Sequence, residues 1–372
     1  MIKRLSSPAA LKRIPELDGL RGVAILLVIS FHYINNQLVH SEKIIGKALY
    51  KATSFGWVGV DLFFILSGFL IGTILIQSKN SKNYFSTFYL RRIVRIIPNY
   101  FLLIIIFLFI TSIPYFSSNY FLTGNNVLPA WSYFTMLHNI YMAWLHNMGN
   151  NAMSVTWSIG IEEQFYIIFP FIVYFLKDKW LPFFLLICIV LAIIFRMQFQ
   201  DWIPPYVLLN CRMDAISFGV LVAWFNYHYD LKEAVDKFYK SLILIMVLDI
   251  LICAFLYFKY ADLGSMRNTL FGIFFSISLV LALTRTNSFY ASFLRNNILR
   301  WVGSISYSLY LFHYMILGLF HHIFSHKNDI GIINTKDIIM TFLAFISSLL
   351  FSYFLFKRLE TPMVSLGKRY KY

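Results

Sequence analysis

Charged side chains are scarce in this 372-residue chain, at 13% of the residues, whereas hydrophobic residues make up 59%. A soluble domain of this length needs a polar and charged surface over its core, so the composition excludes an ordinary soluble protein. No polar stretch is long enough to form a separate soluble domain. Repeated apolar runs of bilayer-spanning length account for the composition. The sequence therefore predicts an integral membrane protein.

Cysteine is also rare, and Cys188, Cys211 and Cys253 all fall within apolar runs. Their spacing fits neither a disulfide framework nor a zinc site, so we expect packing residues and no bound metal. The sequence also lacks a P-loop, a Rossmann glycine fingerprint and a G-x-S-x-G nucleophile elbow. We therefore expect no resident cofactor, and the few charges inside the apolar runs become the candidates for chemistry.

Ten apolar runs are long enough to cross a bilayer as α-helices. They cover residues 19–39, 56–77, 93–113, 157–176, 180–196, 205–225, 239–258, 268–284, 301–322 and 337–358. A further stretch, 129–145, is short and rich in Trp and Tyr, which is typical of interfacial or re-entrant segments. The sequence predicts an all-α bundle of about ten transmembrane helices that forms a single domain over residues 1–372.

The basic residues orient these spans. The net charge is +15, and with ten spans most Lys and Arg fall in the loops that share a side with both termini. Basic residues collect in cytoplasmic loops, so both ends are predicted to be cytoplasmic, namely a short segment 1–16 and a tail 359–372. Residues 111–156 contain no Lys or Arg and are assigned to the outer side. This pattern indicates membrane orientation and argues against binding of nucleic acid.

Arg21 and His32 are the two most informative residues of the first span. They are eleven residues apart, close to three helical turns, so they project from nearly the same face, roughly 16 Å apart along the axis. Within a bilayer such residues usually mark a functional site, where an arginine suits an anion and a histidine suits proton transfer. The alternative is structural: Arg21 extends to the headgroups and His32 pairs with a neighbouring helix.

An arginine cluster precedes Pro98 at the predicted cytoplasmic mouth. Arg91 and Arg95 are four residues apart and share a helical face, with Arg92 beside them. Such a cluster is a natural phosphate-binding site, and Arg21 lies near the same mouth. The alternative is ordinary anchoring of the helix by positive charges at the membrane surface.

Two adjacent carboxylates, Glu162 and Glu163, lie in a later apolar run. They point about 100° apart on a helix, so we expect only one of them to face the interior. Glu162 is expected in the outer half of the membrane, at the depth of His32, where it would orient the imidazole or act as a base itself. The alternative is a structural ion pair with an intramembrane arginine.

Two more charged residues are candidates for binding substrate. Asp61 lies in the glycine-containing run GVDLFFILSGFLIG, where it serves either the site or the packing of helices. Arg212 lies two residues before Asp214 and is expected either to partner it or to line the cavity.

The sequence resembles the acyltransferase-3 family, integral-membrane O-acyltransferases that modify bacterial surface glycans. Its motifs occur here in the family's order over most of the chain: LDGLRG at 17–22 followed by His32, GVDLFFILSGFLI at 59–71, RRIVRIIPNY at 91–100, WSIGIEEQFY at 157–166, RMDAISFG at 212–219, ISYSLYLFH at 305–313 and ETP at 360–362. Phe312 stands where the family often has Trp. Many relatives also carry an extra span and a C-terminal esterase-like domain, which this sequence does not contain.

The resemblance implies an acyl-CoA donor, most simply acetyl-CoA from the cytoplasm, and a hydroxyl of a cell-surface or lipid-linked carbohydrate as acceptor. The four arginines named above would hold the CoA phosphates. The pantetheine arm, about 15–20 Å long, would carry the thioester along the first helix toward His32. His32 would act as a general base supported by Glu162, or would form an acyl-enzyme.

Other functions also fit parts of the sequence. A transporter or flippase suits ten spans with intramembrane charges, although no paired broken helices occur in corresponding halves. Within the enzyme class, the acyl group is succinyl or longer in one alternative, and the acceptor is a secreted small molecule in another. An interaction scaffold explains none of the intramembrane charges.

Overall fold

The computed structural model describes residues 14–117, 119–124, 128–260, 264–325 and 330–372, and these form helices with no strand among them. In chain order the helices are α1 (Pro15–Ser30), α2 (Ile44–Thr53), α3 (Gly59–Ser78), α4 (Tyr84–Ser112), α5 (Pro114–Ser117), α6 (Tyr120–Thr123), α7 (Ala130–Phe134), α8 (His138–Trp144), α9 (Asn151–Ser154) and α10 (Trp157–Phe175). They continue as α11 (Leu181–Met197), α12 (Ile203–Val207), α13 (Leu209–His228), α14 (Leu231–Tyr260), α15 (Arg267–Thr284), α16 (Phe289–Leu294), α17 (Asn297–Ser304), α18 (Ser306–Ser325), α19 (Thr335–Leu355) and α20 (Thr361–Gly367).

Short turns of other helix types extend or connect these elements. The 3₁₀ turns are Gly56–Val58, Asp178–Trp180 and Gly264–Met266. Two π-helical turns occur in the described part of the chain: Phe31–Asn35 continues α1, and Phe356–Glu360 continues α19. We call the end of the bundle where α1 begins the proximal end and the opposite end the distal end.

The predicted bundle of about ten membrane-crossing helices is confirmed. Nine described helices are long and apolar enough to cross a bilayer. The remaining predicted run, 301–322, the ninth in chain order, is broken into α17 and α18, which are bent by 74° at Ile305. Of the predicted N-terminal segment 1–16, residues 1–13 lie outside the described residues. The orientation of the bundle in the membrane remains a prediction.

Two helices begin eight or nine residues earlier than predicted. α4 starts at Tyr84 rather than at residue 93, and α14 starts at Leu231 rather than at residue 239. An apolar run marks only the part of a helix in the hydrocarbon core, whereas the helix itself extends through aromatic and polar residues that flank this run. As a result, the arginine cluster of α4 lies well inside a helix and not at its start.

Buried ion pairs connect several helices. The Arg212 guanidinium of α13 contacts the Asp61 carboxylate of α3 at 2.7 Å, and both side chains are fully buried. Asp214 instead pairs with Arg196 of α11 at 2.9 Å. The expectation that Arg212 partners Asp214 is therefore wrong. Residues two apart project from different faces of a helix, so each reaches a different neighbour.

The stretch predicted as interfacial or re-entrant, 129–145, forms the short helices α7 and α8, neither of which is long enough to span a bilayer. The Tyr100 hydroxyl, from the middle of α4, donates to the Tyr133 carbonyl at 2.9 Å. Gln164 Nε2 of α10 donates to Asn139 Oδ1 at 2.8 Å. These contacts place α7 and α8 within the bundle on its distal side, where they pack against α4 and α10.

Candidate active site

A narrow cavity of about 100 Å³ lies among α1, α3, α4, α10 and α18. The apolar part of its wall comes mainly from α3. Its polar wall consists of three arginines, one carboxylate, three serine hydroxyls and three tyrosines: Arg21, Arg92, Arg95, Glu162, Ser67, Ser158, Ser306, Tyr166, Tyr307 and Tyr310. Arg21 lies in the second turn of α1, so the charged part of the cavity is in the proximal half of the bundle.

Three of the four predicted arginines line this cavity. Arg92 and Arg95 are three residues apart and share the face of α4 that points toward Arg21. Arg91 lies outside the cavity, because its Nε donates to the Tyr370 carbonyl at 3.0 Å and its guanidinium covers the ring of Tyr372. The four-residue spacing predicted that Arg91 and Arg95 serve the same site. In the structure, Arg91 instead binds the C-terminal tail.

Only one of the two adjacent glutamates lines the cavity, as expected. Glu162 Oε2 accepts a hydrogen bond from the Tyr166 hydroxyl at 3.1 Å, and that hydroxyl is also hydrogen-bonded to Ser67. The Arg92 guanidinium lies 5.7 Å from the centre of the Tyr166 ring. Glu162 is half-buried. Its carboxylate is surrounded by hydroxyl groups and by the positively charged arginines of the cavity.

His32 lies on the π-helical turn that continues α1, and its partner is a second histidine. His32 Nδ1 and His313 Nε2 are 3.0 Å apart. His313 Nδ1 contacts the carbonyl oxygens of Tyr310 and Leu309, at 2.8 and 3.0 Å. A carbonyl only accepts, so this network assigns the proton of neutral His313 to Nδ1 and leaves Nε2 as an acceptor. His32 then donates from Nδ1, and its Nε2 carries the lone pair that a general base needs.

Glu162 does not contact His32, so its expected role in orienting that imidazole is not what the structure shows. Glu162 lies one helical turn proximal to Ser158, whereas His313 lies one turn distal to Tyr310, and Ser158 and Tyr310 are hydrogen-bonded at 2.7 Å. The two levels differ by roughly 10 Å along the helix axes. The predicted match of depths between Glu162 and His32 is therefore wrong.

Tyr310 closes the distal end of the cavity. Its hydroxyl contacts Ser158 Oγ at 2.7 Å and the Val155 carbonyl at 2.9 Å. The ring of His313 follows, with its centroid 6.1 Å from that of Tyr310. The charged cavity and the histidine pair therefore lie one after the other along the path of α18, with Tyr310 between them.

Asp61 and Arg212 lie away from this path. The Arg212 guanidinium is surrounded by the rings of Phe64, Trp157 and Tyr206, with ring centres 5.4 to 5.7 Å away. Neither charged side chain lines the cavity. Their burial and mutual contact fit a structural ion pair between α3 and α13, and their role in substrate binding stays a prediction.

Two residues of the site were not among the predicted candidates. His313 ends the stretch ISYSLYLFH, one of the motifs that carry the resemblance. Glu360, the first residue of the ETP motif, accepts hydrogen bonds at Oε1 from Asn99 Nδ2 (2.8 Å) and from the Ser308 backbone N–H (3.1 Å). Arg21 and Arg95 lie within electrostatic range of its carboxylate. His313 and Glu360 each lie in a motif that resembles one of the family's, ISYSLYLFH and ETP. This was the sequence signal that could have identified them as site residues.

Comparison with known proteins finds a family and several relatives. A family model described as an acyltransferase domain matches residues 14–357. O-acetyltransferase OatA of Staphylococcus aureus (strain NCTC 8325 / PS 47) is 27% identical over 347 residues, covering 85% of this chain and 52% of the relative. Peptidoglycan O-acetyltransferase OatA of Listeria monocytogenes is 26% identical over 329 residues, covering 83% and 50%. The chain thus spans about half the length of these relatives. No solved structure matches it.

Proposed function

Because this chain belongs to the acyltransferase-3 family, we propose that it is a membrane-bound O-acyltransferase that moves an acetyl group from cytoplasmic acetyl-CoA to a hydroxyl of a cell-surface or lipid-linked carbohydrate. One observation carries the proposal: the His32–His313 pair lies beyond the distal end of a cavity whose proximal half holds three arginines. The relatives are named for O-acetyl transfer, one of them to peptidoglycan, and this supports a glycan as the acceptor class.

The donor binds at the proximal end. Phosphates are best held by several guanidinium groups in a partly buried site, and Arg21, Arg92 and Arg95 provide these. The cavity, of about 100 Å³, suits a slender chain such as a pantetheine arm. With both termini in the cytoplasm, as the basic loops predict, this end faces the cytoplasmic pool of acyl-CoA.

The transfer itself requires one base and one proton donor. His32 Nε2 removes the proton from the acceptor hydroxyl, and the oxygen attacks the thioester carbonyl carbon. The C–O bond forms, the C–S bond breaks, and the imidazolium returns its proton to the departing CoA sulfur. His313 receives the Nδ1–H of His32 in a hydrogen bond, so it fixes the tautomer and orientation that this step needs. A route in two steps through an acyl group on His32 Nε2 uses the same geometry.

The test uses membranes from cells that produce the wild type, His32→Ala or Arg91→Ala, each given CoA carrying a labelled acetyl or succinyl group. The label is followed into lipid-linked sugars, polysaccharide and small molecules. We expect acetyl label in a carbohydrate fraction with the wild type and with Arg91→Ala, and none with His32→Ala. Label transfer by His32→Ala would contradict the assignment. Uptake or flipping of a substrate without any dependence on acyl-CoA would favour the transporter alternative.

A further inference from the structure

A second and much larger cavity lies at the distal end, on the opposite side of the histidine pair from the donor cavity. It is a groove of about 1810 Å³ with a mainly apolar lining, formed by the end of α1, by α2, by α19 and by residues 330–334. Several of its apolar residues are exposed, among them Ile45, Ile338 and Phe342. The groove is therefore open at the side of the bundle, where a lipid tail can enter, and the transfer step described above makes no use of it.

We infer that this groove binds the hydrocarbon tail of the acceptor, a glycan linked through a phosphate to a long lipid, which enters sideways from the membrane. The inference rests on the proposed function and names the substrate class of the same site. Burial of a long chain against apolar walls supplies affinity without any recognition of the sugar.

Charge at the mouth of the groove matches an anionic headgroup. Ile45 and Leu49 of α2 line the groove, while Lys47 and Lys51, four residues apart, lie on the other face of the helix. Lys43, which precedes α2, lines the groove beside Glu42. A helix with one apolar face and one lysine face lies in the plane of a membrane interface. Its lysines attract a phosphate at the level where a tail enters the groove.

The wall of the groove leads to the histidine pair. Tyr33 lines the groove, and its hydroxyl donates to the His313 carbonyl at 2.8 Å. Gln37 also lines it, and its Nε2 donates to the His32 carbonyl at 3.3 Å. The groove thus extends to the backbone of both histidines.

Gln37 provides the second observation that points to a ligand. Its side chain is only 3% exposed, yet its Oε1 has no hydrogen-bond partner among the described residues. A buried amide oxygen without a donor is unfavourable, so a bound group with hydroxyls fits this position. A tail alone, such as that of a bulk phospholipid, would leave this oxygen unpaired.

Two neighbouring residues of α19 give a matched pair of variants. Ile338 lines the groove and is 54% exposed, whereas Ile339 is 49% exposed and does not line it. We would purify the full chain in nanodiscs as wild type, Ile338→Trp and Ile339→Trp, and measure retention of polyprenyl phosphate by native mass spectrometry. Phosphatidylglycerol at the same molar ratio is the comparison lipid.

We expect the wild type and Ile339→Trp to retain polyprenyl phosphate in preference to phosphatidylglycerol. Ile338→Trp should weaken retention about tenfold, because the larger ring fills space that the tail needs. Equal retention of the two lipids would show that the groove binds ordinary bilayer phospholipid without selectivity, and this would overturn the inference. Equal retention of polyprenyl phosphate by both variants would overturn it as well.

Acetyl transfer by the same variants separates this inference from the proposed function. If it holds, label from acetyl-CoA enters the lipid-linked fraction with Ile339→Trp and is strongly reduced with Ile338→Trp. Label that enters only polysaccharide, equally with both variants, would overturn the groove assignment while the proposed function stands. Selective binding of polyprenyl phosphate without any label transfer by the wild type would instead contradict the proposed function and leave the groove in place.

Discussion

The chemistry of single residues depends here on which nitrogen of each histidine carries a proton. Two backbone carbonyls fix the proton of His313 on Nδ1, so His313 Nε2 is an acceptor. His32 Nδ1, 3.0 Å away, must therefore carry the proton of that contact. His32 is left with its basic nitrogen free. A neutral histidine pair of this kind needs no carboxylate to set the tautomer, which agrees with the separation of Glu162 from His32.

His32→Ala should lower acyl transfer by a factor of about 10² to 10⁴, the usual contribution of a general base. Donor affinity should not change, because the arginines of the cavity are intact. The measurement is transfer of labelled acetyl together with the KM for acetyl-CoA. Full activity of this variant would show that another group takes the proton.

His313→Ala should lower kcat about 10-fold or more, since it removes the acceptor for His32 Nδ1–H and lets the imidazole adopt the wrong tautomer. The KM for acetyl-CoA should stay the same. His228→Ala, in the proximal part of α13, is the matched control and should behave like the wild type. A raised KM with an unchanged kcat for His313→Ala would indicate a role in binding instead.

Arg21→Ala should raise the KM for acetyl-CoA about 10- to 100-fold, because a charged hydrogen bond to phosphate contributes about 1.5–3 kcal/mol. Arg91→Ala should leave it unchanged, since Arg91 contacts the tail and not the cavity. Each variant removes one guanidinium from the wild type, so a difference between them reflects only the position of the arginine that is lost. An equal effect of both would mean that the charges act only through the membrane surface.

Asp61→Asn should reduce stability by about 3–5 kcal/mol, because it leaves the buried guanidinium of Arg212 without its partner. Asp178→Asn removes the exposed partner of Lys79 and should cost at most about 1 kcal/mol. Thermal unfolding in detergent compares them. Unchanged stability of Asp61→Asn with a raised KM for a substrate would support the predicted binding role.

At the scale of helices, the two π-helical turns of the described chain each carry a polar residue of the site. One contains His32 and the other ends on Glu360. A π turn inserts an extra residue into the helical repeat and re-aims the side chains next to it. An ideal repeat of 3.6 residues predicts that Arg21 and His32 share one face of the helix. Because His32 lies on a π turn, that repeat does not predict which residue His32 contacts.

Close helix crossings hold these elements in place. A Cβ on Gly68 of α3 would lie 2.1 Å from the Ile216 carbonyl oxygen of α13, and one on Gly219 would lie 2.0 Å from that of Ile65. Gly219→Ala should therefore separate α3 from α13 and markedly lower the melting temperature. Gly331→Ala, where an added Cβ meets no atom within 4 Å, is the control. Equal melting temperatures would contradict the packing described.

The sequence predicts the spans well and the partners poorly. Apolar runs and glycine-rich stretches identify the membrane helices, since each is a local property of the chain. His32 and His313 are 281 residues apart, and the level of Glu162 depends on how α10 packs against α18. Such pairings arise from tertiary packing, and no local pattern encodes them.

At the scale of the whole molecule, the bundle has an arginine-lined cavity at its proximal end and an apolar groove beneath a lysine-bearing helix at its distal end. The histidine pair lies between them. A donor with phosphates and an acceptor with a lipid tail would thus approach from opposite sides. The basic loops predict that the proximal side is cytoplasmic.

Sealed membrane vesicles of known orientation test this account most directly. Labelled acetyl-CoA is added outside inside-out and right-side-out vesicles that contain the wild type or His32→Ala. We predict that label reaches carbohydrate in the lumen of inside-out vesicles with the wild type only. Transfer from the outside of right-side-out vesicles, or transfer by His32→Ala in either orientation, would contradict a cytoplasmic donor site connected to His32.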